Sequence, residues 1–244
     1  MGAYASSTTY LSGEASKRAA AQVSLQIREV AADFFNEVLK VDPRPDPAKL
    51  VLREKAVFEP GGKSVTLGQV ALRSLYERDQ HQIMANASAI SKKSPPPFSA
   101  HFAEVEVDTE TGFVKLVKYV VTIDCGTAIN PRLAEGQVEG AVVNGFSYAL
   151  TEEYLFDERG RMRNPNFADY KIWNTVDMPE LKTIVVPTWE ESGPYGAKSV
   201  SEICINGPCP AIGNAIYDAV GVRIRETPFT PERVLAAIRA ARRG

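Results

Sequence analysis

Gly193 to Asn214 read GPYGAKSVSEICINGPCPAIGN, with four glycines, three prolines and one acidic residue, Glu202. Small and apolar residues flank that glutamate. A carboxylate with few polar neighbours can be raised toward neutrality, which suits a general base. Glycine and proline at this density imply a backbone held in special conformations rather than a regular element. Helical periodicity starts only afterwards, in Ala211-Ile212, Ala215-Ile216 and Ala219-Val220. A loop that ends in a helix N-terminus offers unpaired N–H groups to an anion such as a phosphate or an oxo-anion. By its chemistry this is the candidate active site. The plainer alternative is a connecting loop with a solvated surface charge.

Other reactive side chains are less telling. Cys125, Cys204 and Cys209 are odd in number and lack a C-x2-C pair. That argues against a disulfide framework, an iron–sulfur ligand set or a zinc site, and no residue is assigned to a metal. They read as small hydrophobes, and as reduced thiols they fit a cytoplasmic setting. His101 reads as structural or solvated. Tyr148, Tyr170 and Trp173 read as core or interface, and Asp124 at the end of an apolar strand reads as a cap or turn residue.

The elements that must position the loop follow from periodicity. Val23, Ile27, Val30, Phe34 and Val38 recur at helical steps and predict a helix over 12–40, ended by Asp42-Pro43. Residues 50–58 and 64–67 read as strands, 68–79 as a short helix, and 91–97 as a stiff proline-rich crossing. Residues 101–108, with Phe102, Val105 and Val107 set against Glu104 and Glu106, pair as a hairpin with 113–124. Asn130-Pro131 starts a helix over 132–153 rich in small residues (Gly136, Gly140, Ala141, Gly145, Ala149), which let another backbone or a ligand approach closely. Residues 181–187 form a strand, and Thr230-Pro231 caps the last helix. Hairpins mixed with helices give an α+β fold.

The chain has 244 residues, 44% of them apolar and 24% charged, which describes a soluble globular protein with a real core. A net charge of −2 leaves no electrostatic footprint for nucleic acid or an anionic membrane. No run of 18 apolar residues could span a bilayer, and the first residues lack a signal-peptide pattern. Those residues are instead small and hydroxylated, Ala5-Ser6-Ser7-Thr8-Thr9, and run directly into a helix with no strand before them.

Several motifs occur together in one family. Asp124-Cys125-Gly126 with Ala128-Ile129-Asn130-Pro131 matches a D-x-G-x-x-x-N-P element. Glu135-Gly136-Gln137-Val138-Glu139-Gly140-Ala141 matches a G-Q-x-E-G helix, and Gly196-Ala197-Lys198-Ser199-Val200-Ser201-Glu202 a G-A-K-G-V-G-E loop. Ala215 to Ala219 and Thr230-Pro231-Glu232 match as well. Over nearly its whole length the chain resembles the C-terminal part of the molybdopterin-binding subunit of the molybdenum hydroxylases, which include xanthine dehydrogenase and aldehyde oxidoreductase.

The resemblance implies a role for each matching residue. Glu202 is the catalytic base of a water-derived hydroxylation. Gln137 binds the pterin. Lys198, Ser199, Val200 and Ser201 reach the cofactor through backbone groups. Ala5, Ser6, Ser7, Thr8 and Thr9 wrap its pyrophosphate. The implied cofactor is molybdenum–molybdopterin cytosine dinucleotide, with 2Fe-2S clusters and FAD on partner subunits carrying electrons away. Residues 1–90 are expected to form one cofactor-binding half, with the pyrophosphate loop and the long helix. Residues 91–244 form the other, with the pterin helix and the Glu202 loop. Family subunits are several-fold longer. With Met1 directly before the cofactor loop, the expectation is a naturally split subunit rather than a fragment, completed by a larger molybdopterin-binding subunit. Iron–sulfur and FAD subunits complete a hetero-oligomer, with a dimer of heteromers as one form.

Two positions depart from the family pattern. Ser201 stands where glycine is usual, and Ile203-Cys204 where Pro-Pro is common. Similar variants among xanthine- and purine-type enzymes point to an N-heteroaromatic substrate of xanthine, purine or nicotinate type. Aldehyde oxidation by the same machinery is the alternative. A non-catalytic scaffold that only completes the cofactor cleft is a third reading.

Overall fold

A computed structural model describes residues 4–77 and 80–242. The chain forms two compact units, Leu11–Ile90 and Met1–Tyr10 with Ser91–Gly244. The hydroxyl-rich opening residues thus group with the larger unit, while the long helix belongs to the smaller.

In the smaller unit, α1 (Gly13–Glu37) follows a π-helical turn, Thr8–Ser12. The predicted apolar stripe is buried only at its C-terminal end, where Val30, Ala31, Ala32, Phe34 and Phe35 meet Leu50, Val57, Val65 and Val70. Val23 and Ile27 are half-buried, and Val38, beyond the helix end, is exposed. The strands β1 (Val51–Arg53), β2 (Ala56–Phe58) and β3 (Ser64–Thr66) make an antiparallel sheet. The single strand expected over 50–58 is therefore two. Glu54 and Lys55 sit at φ 50° and 61° and turn the chain so that Arg53 pairs with Ala56. Such a turn usually carries Gly or Asn, and neither residue here announces it. Thr66 and Gln69 form a reciprocal capping box that starts α2 (Leu67–Tyr76). Asp79, the expected end of that helix, lies outside the described residues.

The larger unit packs helices on one face of a sheet ordered β4 (Phe98–Val107), β5 (Val114–Asp124), β6 (Glu180–Val185). The first pair is antiparallel, and β6 runs parallel to β5 after a crossover that contains α3 (Pro131–Leu150). The turn α4 (Glu202–Ile205) and the helices α5 (Pro208–Val220) and α6 (Pro231–Ala241) complete it. The register of β4 on β5 shifts between Glu104 and Val105. On β5 the buried set changes from Val114 and Leu116 to Tyr119, Val121 and Ile123, the change of parity that a bulge imposes. These residues meet Val138, Val142 and Phe146 of α3, Ile212 and Ile216 of α5, and Val234 and Ile238 of α6.

Two expectations are corrected here. The apolar character of Phe102 sets it with Val105 and Val107, but a period of two puts it with Glu104 and Glu106, and it is exposed. His101 instead points inward. Its Nδ1 is 2.9 Å from Tyr119 Oη, its Nε2 is 2.9 Å from Ser99 Oγ, and burial lowers its pKa. Among the small residues of α3, Gly145 is the one whose missing side chain admits a neighbour. A Cβ there would stand 2.5 Å from Pro208 Cγ at the start of α5. Among the described residues no helix is long and apolar enough to cross a membrane.

Candidate functional site

Two loops of the larger unit are zipped together beneath the site. The chain leaves β5 through Asp124, Cys125 and Gly126 and meets the segment 196–198. Lys198 N–H donates to Cys125 O (2.8 Å), and Thr127 N–H donates to Gly196 O (2.8 Å). The approach requires glycine at 126. Its φ is 70°, and a Cβ would lie 2.3 Å from Gly196 O and 2.9 Å from Lys198 N. The Lys198 side chain is buried. Its Nζ donates to Asp124 Oδ2 (2.7 Å) and to Pro96 O (3.2 Å). Burial pushes the Asp124 carboxyl up, but Lys198, Thr188 Oγ1 and Gly126 N–H outweigh it and hold the carboxyl below the usual carboxylate range. Asp124 is thus a tether between strand and loop, and the Lys198 ammonium is neutralised below the surface.

The opening segment lies against the same loops. Ala5 and Ser6 sit at φ 48° and 55°, and Ser7 closes the turn by donating N–H (3.0 Å) and Oγ–H (2.8 Å) to Tyr4 O. Two consecutive non-glycine residues at positive φ cost about 1–2 kcal/mol each, so the surroundings must hold them. Tyr10 supplies one anchor. It is buried, and its hydroxyl is 2.8 Å from Ser91 Oγ and 2.7 Å from Ser192 Oγ. Ser192 in turn donates Oγ–H and N–H to Glu190 Oε1. Sequence reasoning missed Tyr10. Its signal was one large aromatic inside an otherwise small, hydroxylated stretch.

Glu202 begins the turn α4 and meets the opening segment directly. Ser6 Oγ–H donates to Glu202 Oε2 (3.0 Å), and Ser6 Oγ accepts from Glu202 N–H (2.9 Å). Glu202 is exposed, so this chain alone does not supply the apolar surroundings expected of it. Ser201, immediately before it, has φ 85° and ψ −92°. That backbone conformation favours glycine, which gives the substitution at this position a physical meaning: Ser201 carries strain that glycine would not.

Gln137, on the exposed side of the first half of α3, links two adjoining clefts. One, of about 390 Å³, is lined by Tyr4, Ser6, Thr8, Thr9, Gln137, Val200, Ser201 and Glu202. The other, of about 220 Å³, runs on between Thr9, Gln137 and Val200 toward Cys125, Asn130 and Ala197. The structure therefore gathers Ser6, Thr8, Thr9, Gln137, Val200, Ser201 and Glu202 around one trough. It does not leave all of them equally available. The hydroxyls of Ser6 and Ser7 bond to Glu202 and Tyr4 O, and Lys198 N–H and ammonium are both engaged. Among the described residues, the N–H groups of Ser199, Val200 and Ser201 and the Gln137 amide have no hydrogen-bond partner. Ala5 lines neither cleft.

The remaining candidates are structural. Cys125 and Cys204 are buried free thiols in the core, and burial pushes Cys204 up to about 12. Tyr148 Oη–H donates to Ile205 O, Trp173 packs on Phe146, and the His101 ring closes on Gly207, where a Cβ would lie 2.1 Å away.

The family described as "Molybdopterin cofactor-binding domain" matches this chain over residues 1–179. A protein of Escherichia coli K12 described as "Probable hypoxanthine oxidase" is 35% identical over 97% of this chain and 24% of its own length. The xanthine dehydrogenase molybdenum-binding subunit of Escherichia coli O157:H7 is 32% identical over 96% of this chain and 31% of its own. Among solved structures, quinoline 2-oxidoreductase from Pseudomonas putida 86 superposes with a TM-score of 0.81 at 26% identity, over 98% of this chain and 31% of that one. The chain thus spans about a quarter to a third of the proteins it matches.

Proposed function

The chain belongs to the molybdopterin cofactor-binding domain family, and from that premise we propose that it forms part of the cofactor and substrate cleft of a molybdenum-dependent hydroxylase, with Glu202 as the base. The observation that carries the proposal is the convergence of three distant parts of the chain on one trough: Tyr4, Ser6, Thr8 and Thr9; Gln137; and Val200 to Glu202. The lining suits an uncharged, hydrogen-bonding group such as a pterin. Beside the Glu202 carboxylate it offers the Gln137 amide, the hydroxyls of Thr8 and Thr9, and the unpartnered N–H groups of Val200 and Ser201, with no net charge from Lys198. The dinucleotide form with cytosine is the form we assign. Thr8 and Thr9, at the entry to the Thr8–Ser12 turn, are the hydroxyls left to meet its pyrophosphate.

When bound, the molybdenum cofactor supplies the two-electron redox chemistry of a hydroxylation whose oxygen comes from water. The chain's own residues supply position and proton handling. Glu202 Oε2 is held by Ser6, and Oε1 has no partner among the described residues, so Oε1 is the atom that accepts the proton. The buried Asp124–Lys198 pair and the Gly126 contact keep the segment 196–202 from moving relative to β5. An exposed Glu202 is consistent with a lid contributed by sequence outside this chain, from the larger part of the molybdopterin-binding protein. Iron–sulfur and FAD subunits would complete a cytoplasmic hetero-oligomer and pass the electrons on.

The relatives named for hypoxanthine, xanthine and quinoline support an N-heteroaromatic substrate. The test is purification of the assembled protein, with metal and nucleotide analysis and turnover on hypoxanthine, xanthine, nicotinate, quinoline and a set of aldehydes. Molybdenum and cytosine nucleotide in near-equal amounts, with faster oxidation of the ring substrates, is the expected result. Absence of molybdenum would overturn the proposal, and faster aldehyde oxidation would replace the substrate class.

A further inference from the structure

We propose that Ser6 is a positioning residue for the Glu202 carboxylate rather than a ligand of the cofactor's pyrophosphate; this rests on the assignment of Glu202 as the base. One hydroxyl makes two bonds to one residue 196 positions away. It accepts from Glu202 N–H at 2.9 Å and donates to Glu202 Oε2 at 3.0 Å. The first bond fixes where the backbone of Glu202 starts. The second selects one side-chain rotamer, because the carboxylate can reach Ser6 only by folding back over its own N–H. A hydroxyl has a single proton, and donating it to Oε2 leaves none for a phosphate. Oε1 remains as the open, acceptor-only atom.

The backbone on both sides is arranged for this contact. Ser6 is held at φ 55° by the Tyr4–Ser7 turn, and Tyr10 ties that turn down through Ser91 and Ser192. On the other side, Ser201 at φ 85° turns the chain so that the Glu202 N–H meets Ser6, while Ser201 O accepts from Cys204 N–H (2.9 Å). Three non-glycine residues at positive φ, Ala5, Ser6 and Ser201, thus flank one pair of hydrogen bonds. Strain concentrated at a contact is retained where the contact has a use. An exposed glutamate without this tether would sample several rotamers, and a displacement of about 1 Å from the reacting position can lower a rate by about 100-fold.

The test uses the assembled, cofactor-loaded protein. Ser6→Ala and Ser6→Gly are compared with the parent and with Glu202→Gln, alone and combined. The Gly variant also removes the strain at φ 55°, so agreement between the two variants isolates the hydroxyl from the backbone effect. Expected results are a fall in kcat of about 10- to 100-fold, an unchanged KM, unchanged molybdenum and nucleotide content, and a crystal structure of Ser6→Ala with Glu202 in more than one rotamer. Ser6→Ala added to Glu202→Gln should lower the residual rate no further. Lost nucleotide or metal in Ser6→Ala would overturn the proposal and return Ser6 to the cofactor. Parent-like kcat, or a further fall in the Glu202→Gln background, would overturn it as well. Parent-like turnover in Glu202→Gln alone would instead refute the base assignment beneath it.

Discussion

Asp124→Asn should destabilise the protein by about 3 kcal/mol, because it leaves the Lys198 ammonium buried without its counter-charge. At the 2.7 Å separation of Nζ and Oδ2, the gross attraction is about 6 kcal/mol for an effective dielectric of about 20. Most of that offsets the desolvation of the two ions, so the pair adds little net stability. Removal of one partner is different: it typically costs about 3–5 kcal/mol in a buried pair. The low end applies here because the Asp124 side chain retains 20% of its exposure and Lys198 keeps Pro96 O as an acceptor. Urea unfolding of Asp124→Asn, Lys198→Met and the double variant measures this directly, and the double variant should recover more than 1 kcal/mol relative to additivity. The same pair sets an acid dependence. A carboxyl held below its ordinary value stabilises the fold fully above the unfolded Asp pKa of about 3.9, and that contribution disappears as the pH falls through the lower folded value. Asp124→Asn should therefore flatten the loss of stability below about pH 4. A cost under about 1 kcal/mol, or an additive cycle, would refute the tether.

Gly126→Ala should cost more than about 3 kcal/mol, since a clash with Gly196 O adds to the positive φ. Gly221→Ala, at φ 72° but facing open space, should cost only about 1–2 kcal/mol, and thermal or urea unfolding separates the two. Phe146→Ala removes a fully buried ring packed edge-on against Tyr119 at 4.7 Å and should cost about 3–5 kcal/mol. The Cys204 thiol, buried and pushed up to about 12, should resist labelling by a thiol reagent at pH 8 until the protein unfolds, as mass spectrometry of peptides would show.

Much of the fold around the candidate site was legible because its parts obey local rules. Asn130 caps and Pro131 opens α3, and Thr230 and Pro231 do the same for α6, as their side chains dictate. The glycines around 126 and 193–196 announced a special backbone, and each is required by a contact within 3 Å of where a side chain would begin. What could not be read were properties of pairs distant in sequence. Ser6 meets Glu202, Tyr10 meets Ser91 and Ser192, and Lys198 meets Asp124, and no local pattern announces such partners. The turn at Glu54-Lys55 was hidden because neither residue is a usual turn former. The inward direction of His101 followed from strand parity, which the apolar character of Phe102 obscured.

The central claim is that Glu202 is the base of a site built on this chain. Glu202→Gln in the assembled protein keeps the side-chain shape and one acceptor for Ser6 but cannot take up the proton. The account predicts unchanged molybdenum and nucleotide content and turnover of the best ring substrate lowered by about 10²- to 10⁴-fold. Turnover within a few-fold of the parent, with the cofactor still bound, would contradict it.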